Sequence, residues 1–190
     1  MYAISAFLLV AVVTLSSANP VQPHCKELPA KQNFNPNSFF KGTWYITHSS
    51  PKKENTACVS LKAEIVEKMA KIIYTVKEKS GTYRSKGNIN LDLLSGYGKF
   101  ETKLEPLEAT KPGQPKFHLM NETVIDTDYE NYAVVYSCFT DFDGPSIFNI
   151  ISRNPNPDDI NENVEKVLEK IEMKLSDFDS SKHLNCQKVE

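Results

Sequence analysis

The chain has 190 residues, 40% hydrophobic and 24% charged, with 22 basic against 24 acidic side chains and a formal net charge of -2. That length suggests one domain with a core able to bury most of its apolar surface. The balance excludes collagen, coiled coil, multi-span membrane protein and wholesale disorder, and nothing in the charge calls for a nucleic-acid partner.

The first element is an apolar run, Ala3 to Leu15, followed by the small residues Ser16, Ser17 and Ala18. It has the length and exit of a secretory leader and is too short for a comfortable bilayer span. Cleavage is expected after Ala18, dividing the chain into a leader, 1–18, and one domain, 19–190. The product is expected outside the cell, with no membrane association. Secretion gives Cys25, Cys58, Cys138 and Cys186 a disulfide reading, because they are even in number and form no CxxC or Cys/His cluster that suggests a metal. Three pairings are open. Asn121-Glu122-Thr123 is the one N-glycosylation sequon.

Short strand-like runs follow a proline-containing lead. They are Thr43 to Ser49, Cys58 to Glu67, Met69 to Lys77, Thr82 to Leu91, Tyr97 to Leu104, Lys116 to Ile125, Tyr132 to Phe139 and Ser146 to Arg153. In the second run Val59, Leu61, Ala63 and Ile65 alternate with polar residues, the period of a strand with one buried face. Ser95-Gly96, Lys111-Pro112-Gly113, Asp126-Thr127-Asp128 and Asp143-Gly144-Pro145 mark turns. The period then changes to about 3.6: Ile160, Val164, Val167, Leu168, Ile171 and Leu175 share one helical face, with Asn156-Pro157 as cap and first helical residue. The expected fold is all-β, an eight-stranded antiparallel up-and-down barrel with a C-terminal helix packed outside. A barrel of eight strands is just wide enough to hold one small ligand.

Three regions carry a resemblance. Phe39-Phe40-Lys41-Gly42-Thr43-Trp44-Tyr45 sets a Gly-x-Trp at the first strand, Thr127-Asp128-Tyr129-Glu130-Asn131-Tyr132 lies between the sixth and seventh, and Arg153 closes the eighth. They resemble the signature regions of lipocalins, in which the tryptophan plugs the barrel floor and the arginine stacks near it, giving Gly42, Trp44 and Arg153 structural roles. With Phe34-Asn35 and Ile46-Thr47-His48 added, the chain resembles the triabin-like salivary lipocalins of blood-feeding triatomine bugs. That resemblance implies pairing of Cys25 with Cys138 and of Cys58 with Cys186. It implies a salivary protein, taken as a monomer, whose partner is a small host mediator such as ADP, a thromboxane or leukotriene, or a biogenic amine. Sequestering it would inhibit platelet aggregation or vasoconstriction. Surface inhibition of a clotting or contact-phase protease, through loops such as Ser49 to Ala57 or Asp141 to Pro145, is the rival. Haem carriage is less favoured: haem-carrying relatives place a histidine after a tyrosine in the third strand, where this chain has Tyr74-Thr75. None of His24, His48, His118 or His183 falls there.

No Gly-x-Ser-x-Gly, Walker loop or HExxH motif occurs, and His48 and His118 have no adjacent nucleophile, so no catalytic residue, cofactor or metal is expected. Pocket residues follow from parity. Placing Thr75 inward brings Ile73 and Lys77 with it. The family pattern adds Tyr45, Tyr83 and Ser85. A glycan on Asn121 turns His118, Met120 and Glu122 inward, and an external disulfide at Cys138 does the same for Val135, Ser137 and Phe139. An inward Glu122 favours a protonated amine, whereas Lys77 or Arg84 at the mouth favours a carboxylate or phosphate.

Overall fold

The computed structural model describes residues 25–52, 57–94, 96–108, 115–141, 144, 146–181 and 186. The expected leader, His24, His183, the Lys111-Pro112-Gly113 turn, and parts of the Ser49 to Ala57 and Asp141 to Pro145 loops lie outside the described residues.

Eight strands form one closed antiparallel ring: β1 (Gly42–Ser50), β2 (Ala57–Val66), β3 (Met69–Glu78), β4 (Gly81–Asn90), β5 (Lys99–Pro106), β6 (His118–Thr127), β7 (Tyr132–Phe139) and β8 (Ile147–Ser152). Each pairs with its successor, and β1 pairs with both β2 and β8, so the ring has no free edge of its own. A ninth strand, β9 (Asp179–Ser180), adds to β1 at His48 and Ser49. The expected β7 limits coincide with the observed ones, and the other seven strands shift by one or two residues at their ends.

The floor is built from residues near the start of the barrel. Asn35 accepts the Ser38 amide at 3.2 Å and Pro36 occupies the first turn, which starts α1 (Pro36–Phe39). This single turn drops Phe39 and Phe40 beside Phe34, Trp44 and Phe100. Ring centroids of Phe39 lie 5.1 Å from Phe40 and 5.5 Å from Trp44. Gly42 follows with φ +78°, a conformation that side chains bearing a Cβ rarely adopt, and the chain can then turn into β1.

A second core lies outside the ring. Val134, Tyr136, Phe148 and Ile150 on the outer faces of β7 and β8 meet Val164, Val167 and Leu168 of α2 (Asn163–Lys170). β7 is therefore buried on both faces, and its sequence is apolar throughout except at Ser137 instead of alternating. Full burial of the three α2 side chains stabilises the contact by roughly 2 kcal/mol each.

This helix is shorter than its sequence period suggests. Asn156-Pro157 does not start it: the Asn156 side chain accepts the Asp158 amide in a local turn, and Asn161 does the same for Asn163 at the helix entry. The far end closes where Glu172 takes φ +59°, and Met173 and Glu172 donate to the Leu168 and Glu169 carbonyls. Ile160, Ile171 and Leu175 still pack on the same apolar cluster from the flanking turns, so apolar spacing continued past the point where hydrogen bonding stopped.

Disulfides join Cys25 to Cys138 and Cys58 to Cys186, stapling the N-terminal lead and the C-terminal segment to the barrel. Closing loops of 113 and 128 residues stabilises the fold by a few kcal/mol each in the chain-entropy account. Among the described residues no helix is long and apolar enough to cross a membrane, and no group of three His, Cys, Asp or Glu is placed to hold a metal.

Candidate ligand-binding cavity

The barrel's closed end contains an ionised group that the fold satisfies by itself. The Arg153 guanidinium lies 3.5 Å from the centroid of the Trp44 ring and donates to the carbonyls of Thr43, Ser38, Phe39 and Tyr129 at 3.1 to 3.3 Å. Burial draws its pKa down to about 10, so it stays charged at neutral pH. Trp44 Nε1 also donates to the Phe39 carbonyl at 2.9 Å. The turn beneath is set by Asp128, whose Oδ1 accepts the amides of Glu130, Asn131 and Tyr132. Burial opposes the Asp128 charge, yet these donors hold the carboxyl below its usual range.

Above this floor is an apolar cavity of about 280 Å³. Trp44 and Ile46 reach it from β1, Val59, Leu61 and Ala63 from β2, and Ile72, Tyr74 and Val76 from β3. Phe100 and Leu104 of β5, Val135 of β7 and Ile151 of β8 continue the apolar wall. Few polar side chains converge on it: Tyr74, Glu122, Ser137 and Asn149. Such a lining, mostly apolar with a few placed polar groups, is that of a small-molecule site.

Glu122 is 5% exposed and accepts hydrogen bonds from Ser137 Oγ at 2.7 Å and Tyr74 Oη at 3.3 Å. Desolvation raises its pKa to about 7, with the two hydroxyl donors pulling the other way. Burial, and then the adjacent carboxylate, push the Tyr74 phenol well above its ordinary value. No Lys or Arg lines this cavity. The carboxylate therefore has neutral donors and lacks a cationic partner in the cavity wall.

Of the residues singled out in the sequence, Met120, Glu122, Val135, Ser137 and Phe139 are brought together in this cavity. His118 shares their face of β6 but sits at the mouth, 5.9 Å edge-on from Phe139 and with Nδ1 3.1 Å from Asp141 Oδ2. Ser85 and Tyr83 lie opposite the inward Tyr74 and Val76, yet Tyr83 is 52% exposed and neither lines the cavity.

The inward placement of Ile73, Thr75 and Lys77 is corrected. Their neighbours Ile72, Tyr74 and Val76 point in, and in a period-two strand these three then face out. Tyr45 faces out for the same reason, between Trp44 and Ile46. The readable signal was the pair Lys71 and Lys77, whose charges mark the odd-numbered face of β3 as the wet one. Tyr74, Asn149 and Phe100 were missed. Arg84 is also outside, held by Glu108 at 3.0 Å. Asn121 is exposed on the outer wall opposite Cys138, where a glycan has room.

His48 sits at a bulge in β1. It is 5% exposed, its Nδ1 is 3.1 Å from Thr47 Oγ1, and burial lowers its pKa. The Thr47 hydroxyl donates to the Ile150 carbonyl, so the pair is not an activated nucleophile and base.

A closed eight-stranded barrel with an arginine-braced tryptophan floor and an apolar lumen defines a lipocalin-type binding protein. The Nitrophorin family profile matches residues 25–190, and the chain belongs to that family. Among relatives, it is 29% identical over 143 residues to triafestin-1 of Triatoma infestans, a match covering 63% of this chain and 59% of that protein. The match thus spans about three fifths of that relative's length. To nitrophorin-3 of Rhodnius prolixus it is 24% identical, covering 96% of this chain and 94% of the other. The fold is similar to that of the amine-binding protein of Rhodnius prolixus in its tryptamine complex, with TM-score 0.74 and 22% identity over 86% of this chain and 88% of that one.

The family name raises haem, which needs an axial histidine, a histidine with methionine, a thiolate or a tyrosinate. Among the described residues no histidine lines the cavity. The Tyr74 phenol is held protonated, and the third-strand position after it is an outward threonine. These residues do not fit a haem.

Proposed function

We propose that this protein is secreted in saliva and sequesters a small protonated amine of the host, opposing platelet aggregation or vasoconstriction by stoichiometric removal. The observation that carries this reading is Glu122, a buried carboxylate in an aromatic-walled cavity with no cation beside it. An ammonium group supplies the missing partner, and the flanking aromatic faces attract it further. A nucleotide or eicosanoid brings a second negative charge instead, and Arg84 and Lys77, the cations that favoured those ligands, are on the outer face. A volume of about 280 Å³ is at the small end of ligand sites, which suits an arylalkylamine better than a bulky lipid conjugate. The similar Rhodnius barrel with tryptamine bound agrees with this size.

Titration calorimetry of the refolded, disulfide-intact protein against tryptamine, tyramine, ADP and a leukotriene tests the proposal. Saturable heat is expected from the amines. Heat from the anionic ligands alone, or from none of the panel, overturns it, and the second outcome returns weight to inhibition of a clotting protease.

A further inference from the structure

Resting on the amine reading, we propose that Asn149 with Ser49 forms a second polar anchor that makes the cavity selective for amines carrying a hydroxyl on the end opposite the ammonium group. Asn149 is 8% exposed and lines the cavity from β8. Ser49 Oγ donates to its Oδ1 at 2.8 Å. The other end of the amide, Nδ2, makes no such bond among the described residues and is not enclosed by protein, so it is open to the lumen. A donor held in a mostly apolar wall and open to the lumen is available to a guest's hydroxyl.

Register places this anchor relative to Glu122. Glu122 is opposite Ser137, and Ser137 is opposite Ile147, two residues along β8 from Asn149. The two backbone positions are therefore two strand spacings and two residues apart, roughly 12 Å on the wall. Both side chains point into a curved lumen, which shortens the gap between their tips. An aromatic ring with a two-carbon amine arm on one side and a hydroxyl on the other bridges such a gap. Between the two positions the inner wall carries Val135 and Ser137 of β7 and Ile147 of β8, of which Val135 and Ile147 offer apolar surface for the ring itself. A hydroxyl both donates and accepts, so it completes the amide in either orientation of the Asn149 side chain. The bulge at Ile46/His48 puts Ser49 on the inner face, since Thr47 and His48 both turn outward there.

Matched pairs test this with the intact protein: 5-hydroxytryptamine against tryptamine, and tyramine against phenethylamine, by calorimetry. The hydroxylated member is expected to bind about 10-fold more tightly, as one buried hydrogen bond allows. In Asn149→Ala, checked for folding by circular dichroism, the ratio is expected to fall to within about 2-fold. Equal binding of both members by the wild-type protein overturns the anchor and leaves the amine reading standing. No binding by any amine overturns both. A ratio that persists in Asn149→Ala, or in Ser49→Ala with Asn149→Leu if the first variant does not fold, assigns the selectivity elsewhere and overturns the role of Asn149.

Discussion

Two ionisable groups withdrawn from bulk water, Glu122 buried and Arg153 half-buried, sit in the same barrel and are treated in opposite ways. Arg153 at the floor is surrounded by four backbone carbonyls and a tryptophan face, so the fold itself completes its coordination. Glu122 in the lumen receives two neutral donors, and no cation lines the space around it. The first arrangement stabilises the folded chain, while the second taxes it until a partner arrives. A charge that is fully bonded marks structure, and one left short of a counterion marks a place for a guest.

The largest expected effect is on the floor. Arg153→Ala should destabilise the protein by about 2–3 kcal/mol, because four backbone carbonyls, that of buried Phe39 among them, lose their donor together, and Trp44→Ala should cost about 3–5 kcal/mol through its cavity. Urea denaturation checks both. A loss under about 1 kcal/mol would break the contrast on the structural side.

Next comes Glu122→Gln. Amine affinity should fall on the order of 30- to 100-fold, about 2–3 kcal/mol, when the carboxylate is removed. Unliganded stability should instead rise at pH 8, because a buried charge is gone. These opposite signs, read by calorimetry and thermal unfolding, distinguish a binding charge from a structural one.

The pH dependence sharpens the same point. The Glu122 pKa is about 7 in the folded protein against an ordinary 4.5, so between these values the native state holds more protons than the unfolded state. Stability from this group therefore falls as pH rises from about 5 to about 8, by on the order of 3 kcal/mol. Amine binding runs the other way: it needs the carboxylate and weakens as pH falls below about 7. Glu122→Gln should flatten both profiles over that window.

The smallest effect belongs to the outer wall. Thr75→Ala should leave amine affinity within about 2-fold and stability within about 0.5 kcal/mol, since Thr75 faces away from the lumen. A large loss of binding would restore the opposite parity for β3.

Much of the fold was legible because strands announce themselves locally. The alternation at Val59, Leu61, Ala63 and Ile65, and the turns between runs, need no knowledge of distant residues. The helix was half legible. Apolar spacing at Ile160 and Leu175 is right for packing on β7 and β8, but the hydrogen-bonded part is bounded by Asn161 at its entry and by Glu172 at its exit. The site was the least legible part. A one-residue slip in β3 exchanged Thr75 for Tyr74, because parity was anchored on an analogy instead of on Lys71 and Lys77 within the strand. Glu122 was reached through the sequon at Asn121, whose neighbour it is on the opposite face, and it lines the cavity.

The eight strand-like runs and the turns between them determined that this chain makes a barrel, and the resemblance carried by the Gly-x-Trp, TDYENY and Arg153 regions added its plugged floor. Each of those signals is local, or is carried by a few residues in fixed order. Only the tertiary structure decided which polar groups meet inside. Tyr74, Glu122, Ser137 and Asn149 come from four different strands, and their convergence depends on register, bulges and ring closure, which no stretch of sequence states alone.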